Sequence, residues 1–515
     1  MNQSDRAIAA LQKFLDTPLD KNLQRAVEGD AKSNVLTLFQ EVAKGIPAYQ
    51  QFLQERNIDP ASIQAFEDFQ TLPLMTKANY AHKYPLPQLC RNGQLESCDM
   101  IAASSGSTGK PTFWLRSVSD ELAIATRFEQ IFSDSFQADS KRTLAVVCFA
   151  LGTWVGGLYT LNCCRHLAAK GYPITSIAPG SNKTEIFRVI QELAPHFEQV
   201  VLLGYPPFLK DAIDSGRVRG IPWQDYGIKL VMAGEVFSEE WRSLVGERLG
   251  SSNPCYDSAT LYGTADAGVL GNETPLSIAI RRFFSQNPEA ARQLFGESRL
   301  PTLVQYDPLS RFFETQDGTL LFSGDNGIPL IRYHIADTGG IVPHSAMLEF
   351  LRDWGCDPIA LLQSYRDRMV DAALRDRGIH PLPFVYVFGR SNFIVSYFGA
   401  NLYPENITVG LEQPEIREWV TGKFVMEAFE DAQKNRVLSI TVELAPNEEP
   451  TAERERAIAN AVRQQLLRLN SEFANYVPSE SQTPRILLKP TGDPEDFPLG
   501  VKHRYTRSPQ EKRGT

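Results

Sequence analysis

At 515 residues the chain is long enough for a large domain and at least one smaller one. Its 43% hydrophobic content supports an extensive buried core and excludes wholesale disorder. A net charge of -9 argues against a protein that coats nucleic acid.

The opening stretch, MNQSDRAIAALQKFLD, carries no apolar signal core, so a cytoplasmic location is the expectation. The first unusual segment is SSGSTGKPT, from Ser104 to Thr112. Apolar MIAA enters it and TFWL leaves it, so it reads as a hairpin-type loop between two strand-like segments. Ser104, Ser105, Ser107 and Thr108 offer hydroxyl donors to phosphate oxygens, and Lys110 adds positive charge. Gly106 and Gly109 let a ligand approach the backbone. The Walker spacing G-x-x-x-x-G-K-[ST] is absent. On the residues alone, an anion-binding loop and a mobile polar turn both stand.

The most apolar stretch is TLAVVCFALGTWVGGLYTL, Thr143 to Leu161, which raises the question of a membrane span. Its three glycines, its tryptophan and the Thr153 hydroxyl favour a buried strand running into a loop. From Thr143 to Gly263 strands and helices alternate. LAVVCFA, ITSIA, QVVLLGY and IKLVMAG read as strands. LYTLNCCRHLAAKG reads as a helix, and KTEIFRVIQELA places Ile186, Val189, Ile190 and Leu193 on one helical face. SEEWRSLVGERLG predicts a helix capped by Ser238 and stopped by Gly250. This alternation implies an α/β fold with a largely parallel sheet and ligands at loops beyond the strand ends.

The seven cysteines are odd in number and contain no C-x-x-C pair, so reduced thiols are expected. Residues 320–342 read as strand and turn, and 344–377 as a helix-rich insertion on the main body. After Gly389-Arg390 the texture changes. RVLSITVELAP and then TAERERAIANAVRQQLLRLN suggest a separate small α+β domain. The expected division is therefore a large domain over 1–389 and a small C-terminal one over 390–515.

SSGSTGKPT closely resembles the signature loop of the adenylate-forming acyl-ligase superfamily, which includes acyl-CoA synthetases. LPLMTKANYAHKYPL, from Leu72, resembles the matching segment of phenylacetate-CoA ligases and coenzyme F390 synthetase-like proteins. Further segments resemble family motifs in the same order. MAGEVFS resembles the adenine-side turn, which implies that Gly234 and Glu235 line the purine. LYGTADAG resembles a Tyr-Gly-x-Thr-Glu motif: Tyr262, followed by Gly263, would stack on adenine. Asp266 takes the place of the glutamate that helps hold Mg²⁺, and Ala265 replaces a hydroxyl residue. IPLIRYHIADTGGIV resembles the branch's ribose-binding strand, with Asp337 the ribose acceptor; alone, that aspartate would read as a turn residue.

GRSNFIVSYFGANLYPENI resembles the hinge before the C-terminal domain. Arg390 would contact ribose or phosphate, and Asn392 stands where the family usually has Asp or Lys. In DFPLGVKHRY, Lys502 matches the family's catalytic lysine one residue late, with Val501 intervening; a basic tail is the competing reading. Trp154, Tyr205 and Phe208 fall where the acyl pocket is usually walled, which suggests an aromatic or apolar acid; simple core packing is the alternative for each.

The resemblance implies activation of a carboxylic acid by ATP and Mg²⁺, release of pyrophosphate, and transfer of the acyl group to the CoA thiol. Transfer to an amine, a hydroxyl or a protein thiol is the alternative acceptor chemistry. A nucleotide-binding scaffold without catalysis is the alternative from another class. No nucleic-acid partner and no membrane span are expected.

Overall fold

In the strand Thr143–Val147 every residue is buried, the pattern of a strand covered on both faces. Its neighbours alternate between two cores. Ala145, Val147, Val201, Leu203 and Val231 point to one side, with residues of the helices Val118–Gln130 and Val155–Ala169. Leu144, Val146, Val200, Leu202 and Leu230 point to the other, with the helices Lys183–Leu193, Pro206–Val218 and Glu239–Leu249. The period of two along each strand thus glues helices to both faces of one sheet. The computed structural model describes residues 3–104, 112–153, 155–251, 253–297, 299–366, 377–390, 395–398, 400–430, 436–498 and 505–506.

The strands in chain order are β1 (Met100–Ala103), β2 (Phe113–Arg116), β3 (Thr143–Val147), β4 (Ile174–Ile177), β5 (Gln199–Gly204), β6 (Ile228–Ala233), β7 (Ser258–Thr264), β8 (Gly268–Asn272) and β9 (Thr302–Gln305). They continue as β10 (Phe312–Gln316), β11 (Thr319–Gly324), β12 (Leu330–Val342), β13 (Phe384–Arg390), β14 (Val395–Tyr397), β15 (Ala400–Leu402), β16 (Val420–Glu430), β17 (Arg436–Leu444) and β18 (Arg485–Lys489). An 11-stranded sheet runs β10-β11-β12-β13-β9-β8-β7-β6-β5-β3-β4. Its β4-β3-β5-β6-β7 half is parallel, and the remainder is antiparallel. The parallel half answers to the α/β alternation of the sequence, and the mixed α/β fold class stands.

The helix Glu239–Leu249 shows how local residues set these elements. Ser238 Oγ accepts from the Trp241 amide at 3.0 Å, and Gly250 ends the helix at φ 72°. Trp241, Val245 and Leu249 are buried against β6 residues. Each such side chain contributes about 1.5–3 kcal/mol on leaving water. Thr143 to Leu161 is a strand followed, from Val155, by a helix in the same core. Among the described residues no helix is long and apolar enough to cross a membrane. The described cysteines carry no disulfide.

The antiparallel half packs on the N-terminal helices Ala31–Gly45 and Pro47–Gln54 through Phe39, Tyr49, Phe52, Phe322 and Tyr333. Its other side meets the helices Pro275–Gln286, His344–Asp353 and Pro358–Arg366. From β14 onward the strands leave the large sheet. β16-β17-β18 form their own, and with the helices Pro404–Leu411 and Ala452–Leu469 enclose a core that includes Phe424, Ile440, Val462 and Tyr505.

This C-terminal unit touches the large sheet's helices through polar contacts. Lys210 Nζ donates to Val420 O at 2.8 Å, Arg248 pairs with Glu418 at 2.8 Å, and Arg299 pairs with Glu405 at 3.2 Å. Ser238 donates to the buried Glu412 carboxyl.

Candidate active site

The hairpin β1–β2 is antiparallel, with Ala103 opposite Phe113. Its mouth is closed by a reciprocal pair: the Ser104 amide donates to Thr112 O at 2.9 Å, and the Thr112 amide donates to Ser104 Oγ at 3.0 Å. His82 Nε2 meets Thr112 Oγ1 at 2.6 Å. Ser104 therefore anchors the base of the loop. Ser105, Gly106, Ser107, Thr108, Gly109 and Lys110 lie outside the described residues.

The β7–β8 turn carries the LYGTADAG segment. Gly263 sits where a Cβ would meet Gly268 O at 2.6 Å, so only glycine fits the close approach. Tyr262 is buried, and its hydroxyl donates to Asp337 Oδ2 at 2.7 Å. Asp337 lies on β12 opposite the Arg390 backbone on β13. Thus Tyr262, Asp337 and the Arg390 backbone come together, with β12 beside β13 and β7 farther along the same sheet beyond β9 and β8. Ala336, one residue before Asp337, has φ 65°. A left-handed alanine costs about 1–2 kcal/mol, and strain of that kind gathers where backbone is held for function. The Arg390 side chain and Asn392 lie outside the described residues.

Asp266 sits in the same β7–β8 turn, 2% exposed. Two residues not singled out from the sequence face it. Tyr333 donates its hydroxyl to Asp266 Oδ2 at 2.6 Å, and Lys77 Nζ lies 3.0 Å from Oδ1. Lys77 opens a short helical turn capped by Thr76, whose Oγ accepts from the Asn79 amide at 3.1 Å while Asn79 Oδ1 accepts from the Thr76 amide at 2.8 Å. Met75, just before it, is stitched to β12: the Met75 amide donates to Arg332 O at 3.2 Å and the His334 amide to Met75 O at 2.8 Å. The segment from Leu72 therefore supplies both Lys77 to Asp266 and His82 to the hairpin mouth. The signal for Lys77 was the capping pattern Thr-Lys-Ala-Asn inside that segment.

Among the described residues no group of three or more His, Cys, Asp or Glu is placed to hold a metal. Asp266 Oδ1 is buried with no aligned hydrogen-bond donor among the described residues, although the Lys77 charge is close. Mg²⁺ is commonly held by one or two carboxylates with substrate phosphates completing the shell; Asp266 is a buried carboxylate of that kind, with the Lys77 ammonium already 3.0 Å from its Oδ1.

A third group forms at the carboxyl ends of parallel strands β5 and β6, where open α/β sheets bind ligands. Gly234 follows β6 at φ 96°, and the side chain it would meet is Tyr205. Tyr205, just after β5, donates its hydroxyl to Glu235 Oε1 at 2.9 Å. Burial, with the Glu235 charge beside it, pushes the Tyr205 phenol well above its usual range, so it stays a neutral donor. Phe208 does not join this group; it is half-buried against the core that holds Ile186 and Trp241. Trp154 and Lys502 lie outside the described residues.

No protein-family model matches the sequence, and no curated protein matches it. Solved structures do share its architecture. 2-Hydroxyisobutyryl-CoA ligase in the postadenylation state, in complex with 2-HIB-AMP, superposes with a TM-score of 0.61 at 13% identity, covering 93% of this chain and 88% of that one. The same ligase with R3-HIB-AMP gives 0.62 at 14% identity, over 93% and 87%. Its open conformation with 2-HIB-AMP and CoA gives 0.52 at 14%, over 93% and 90%. The chain has the fold of these adenylate-forming ligases, C-terminal domain included.

Proposed function

We propose that the chain is an ATP-dependent, adenylate-forming ligase that activates a carboxylic acid and then passes the acyl group to CoA, as phenylacetate-CoA-ligase-like enzymes do. The observation that carries this reading is the Tyr262–Asp337 hydrogen bond. It joins the two segments that resemble the adenine and ribose motifs, within a fold shared with ligases bound to acyl-AMP.

A free carboxylate is a poor acyl donor because oxide would have to leave. Attack of its oxygen on the α-phosphorus of ATP forms an acyl-phosphate bond, and the α–β phosphoanhydride breaks to release pyrophosphate. Both reactants are anionic, so donors fixed before the reaction stabilise the growing charge. In this reading Gly234, Glu235, Tyr262 and Gly263 frame the adenine, and Asp337 with Arg390 holds the ribose. The loop from Ser104 to Lys110 covers the β- and γ-phosphates. Asp266 would hold Mg²⁺, which when bound would neutralise phosphate charge. Lys502 bridges the acid and the α-phosphate. Trp154 and Tyr205 wall a pocket for an aromatic or apolar acid, while Phe208 serves the core beneath it. Residues 1–389 form the nucleotide-binding domain and 390–515 the small domain, with Asn392 at the hinge between half-reactions.

A screen of carboxylic acids by ATP-dependent pyrophosphate release tests the reading. Release with one class of acid, and thioester formation when CoA is added, are the expected results. Release followed by transfer to an amine, a hydroxyl or a protein thiol would replace CoA as the acceptor. No release with any acid, alongside nucleotide binding, would favour the scaffold alternative.

A further inference from the structure

We propose that Arg299 is a positioning residue: it clasps the first turn of the helix Pro404–Leu411 to the large sheet and so sets how the C-terminal unit lies there. The proposal rests on the functional reading above and deepens it. Arg299 stands on the large-sheet side, between the helix Pro288–Phe295 and β9. β9 pairs with β13, with Thr302 opposite Val387, which brings Arg299 beside Phe388. Its guanidinium carbon lies 4.5 Å from the centre of the Phe388 ring and 3.6 Å from that of Tyr403. Phe388 belongs to a core of the large sheet, and Tyr403 immediately precedes the helix Pro404–Leu411. Glu297, on the same stretch as Arg299, accepts from its Nε. Glu405, on the helix, accepts from a terminal guanidinium nitrogen at 3.2 Å. One buried cation thus holds an aromatic ring and a carboxylate from each unit.

A pull on Tyr403 is passed to its own unit. The Tyr403 amide donates to Asn406 Oδ1 at 3.2 Å, and Asn470 Nδ2 donates to the same oxygen at 3.1 Å. Asn470 caps the helix Ser471–Tyr476, whose Phe473 lies in the C-terminal core. The other end of the helix Pro404–Leu411 is held too, because Glu412 at its C-cap accepts from Ser238. A helix pinned at both ends cannot tilt on the large unit without releasing one of them. Other contacts between the units differ in strength or place. Glu418 and Glu247, which pair with Arg248 and Arg417, have side chains 54% and 64% exposed, so water and salt weaken those pairs. Lys210 on Val420 O is buried, but Val420 lies on β16 and not on this helix. The Arg299 side chain is 4% exposed, where ring stacking and charge pairing are both stronger than in water. Two half-reactions at one nucleotide site need the small unit in two placements. A residue that stabilises one placement favours one half-reaction at the expense of the other.

The test uses the full chain and two readouts. Spin labels carried by unnatural amino acids at Glu41 and Glu453, both exposed and on different units, report the distance between units by pulsed electron resonance without substrate. Arg299→Met should raise the fraction of chains at other distances by about tenfold, the effect of losing a charged hydrogen bond. Arg299→Lys keeps the charge but loses the planar stack, and should fall between parent and Arg299→Met. If Arg299→Met fails to fold, Glu405→Gln reads the same contact from the helix side. Parent-like distances in every folded variant overturn the clasp. In turnover, pyrophosphate exchange is measured with the best acid of the screen, and conversion of chemically made acyl adenylate is measured with CoA. The ratio of the two rates should change by about fivefold or more in Arg299→Met. Equal loss in both half-reactions, or loss in neither, overturns the positioning role. A parent protein that forms no adenylate with any acid would defeat the functional reading and the positioning role with it. The spin-label distances would still decide whether the clasp exists.

Discussion

Tyr262 and Asp337 are joined by a 2.7 Å hydrogen bond, from a phenol on β7 to a buried carboxylate on β12. It fixes the Asp337 rotamer before any ligand arrives. Replacing Asp337 by Ala should raise the dissociation constant for ATP or AMP. One lost charge-assisted bond is worth about 1.5–3 kcal/mol, or roughly ten- to a hundredfold. Tyr262→Phe should weaken binding less. Calorimetry with unchanged nucleotide affinity in Asp337→Ala would return that aspartate to a turn residue.

The hydroxyl-rich loop should matter for ATP use and not for folding. Its base is closed by Ser104 and Thr112, and the glycines and hydroxyls between them are poor core formers. Lys110→Ala combined with Thr108→Ala should weaken pyrophosphate exchange while the Tm stays nearly unchanged. Parent-like exchange in the double variant would sink the phosphate assignment.

Asp266 and Lys77 should depend on each other. Lys77→Met leaves the Asp266 carboxylate buried with Tyr333 as its remaining neighbour in the group, and a buried group that loses its partner costs about 1–3 kcal/mol. The urea midpoint should fall accordingly. Adding Asp266→Asn to Lys77→Met should recover part of the loss, since the uncompensated charge is gone. A midpoint indifferent to Lys77→Met would show that Tyr333 alone suffices.

The contact between the two units should weaken as pH rises. Burial pushes the Glu412 carboxyl up from 4.5 to about 8, and Glu240 adds to the shift. The Ser238 hydroxyl, Arg281 and Lys210 oppose it. The folded pKa is the higher one, so the contribution is complete below about pH 4.5 and is lost as pH rises towards 8. Glu412→Gln should flatten this dependence and exceed the parent in stability at pH 8, by up to a few kcal/mol. Thermal unfolding at pH 5 and pH 8 compares them; parallel pH profiles would contradict the account.

The parallel half of the sheet was legible because its cause is local. Strands such as Gln199–Gly204 are continuous apolar runs, and the helix Glu239–Leu249 carries its own cap and stop. The hairpin around the hydroxyl-rich loop was legible for the same reason. The antiparallel half was not: β13 pairs with β12 on one side and β9 on the other, an order set by distant register and not by composition. Lys77 was missed because its place depends on Met75 pairing with β12, far along the chain.

Carboxylate-dependent exchange of labelled pyrophosphate into ATP tests the central claim most directly, measured over a panel of aromatic and aliphatic acids in the parent and in Lys502→Ala. The account predicts exchange that requires one class of acid and nearly vanishes in Lys502→Ala, while that variant still converts chemically made acyl adenylate. Absence of exchange with every acid, in a parent that binds ATP, would contradict it.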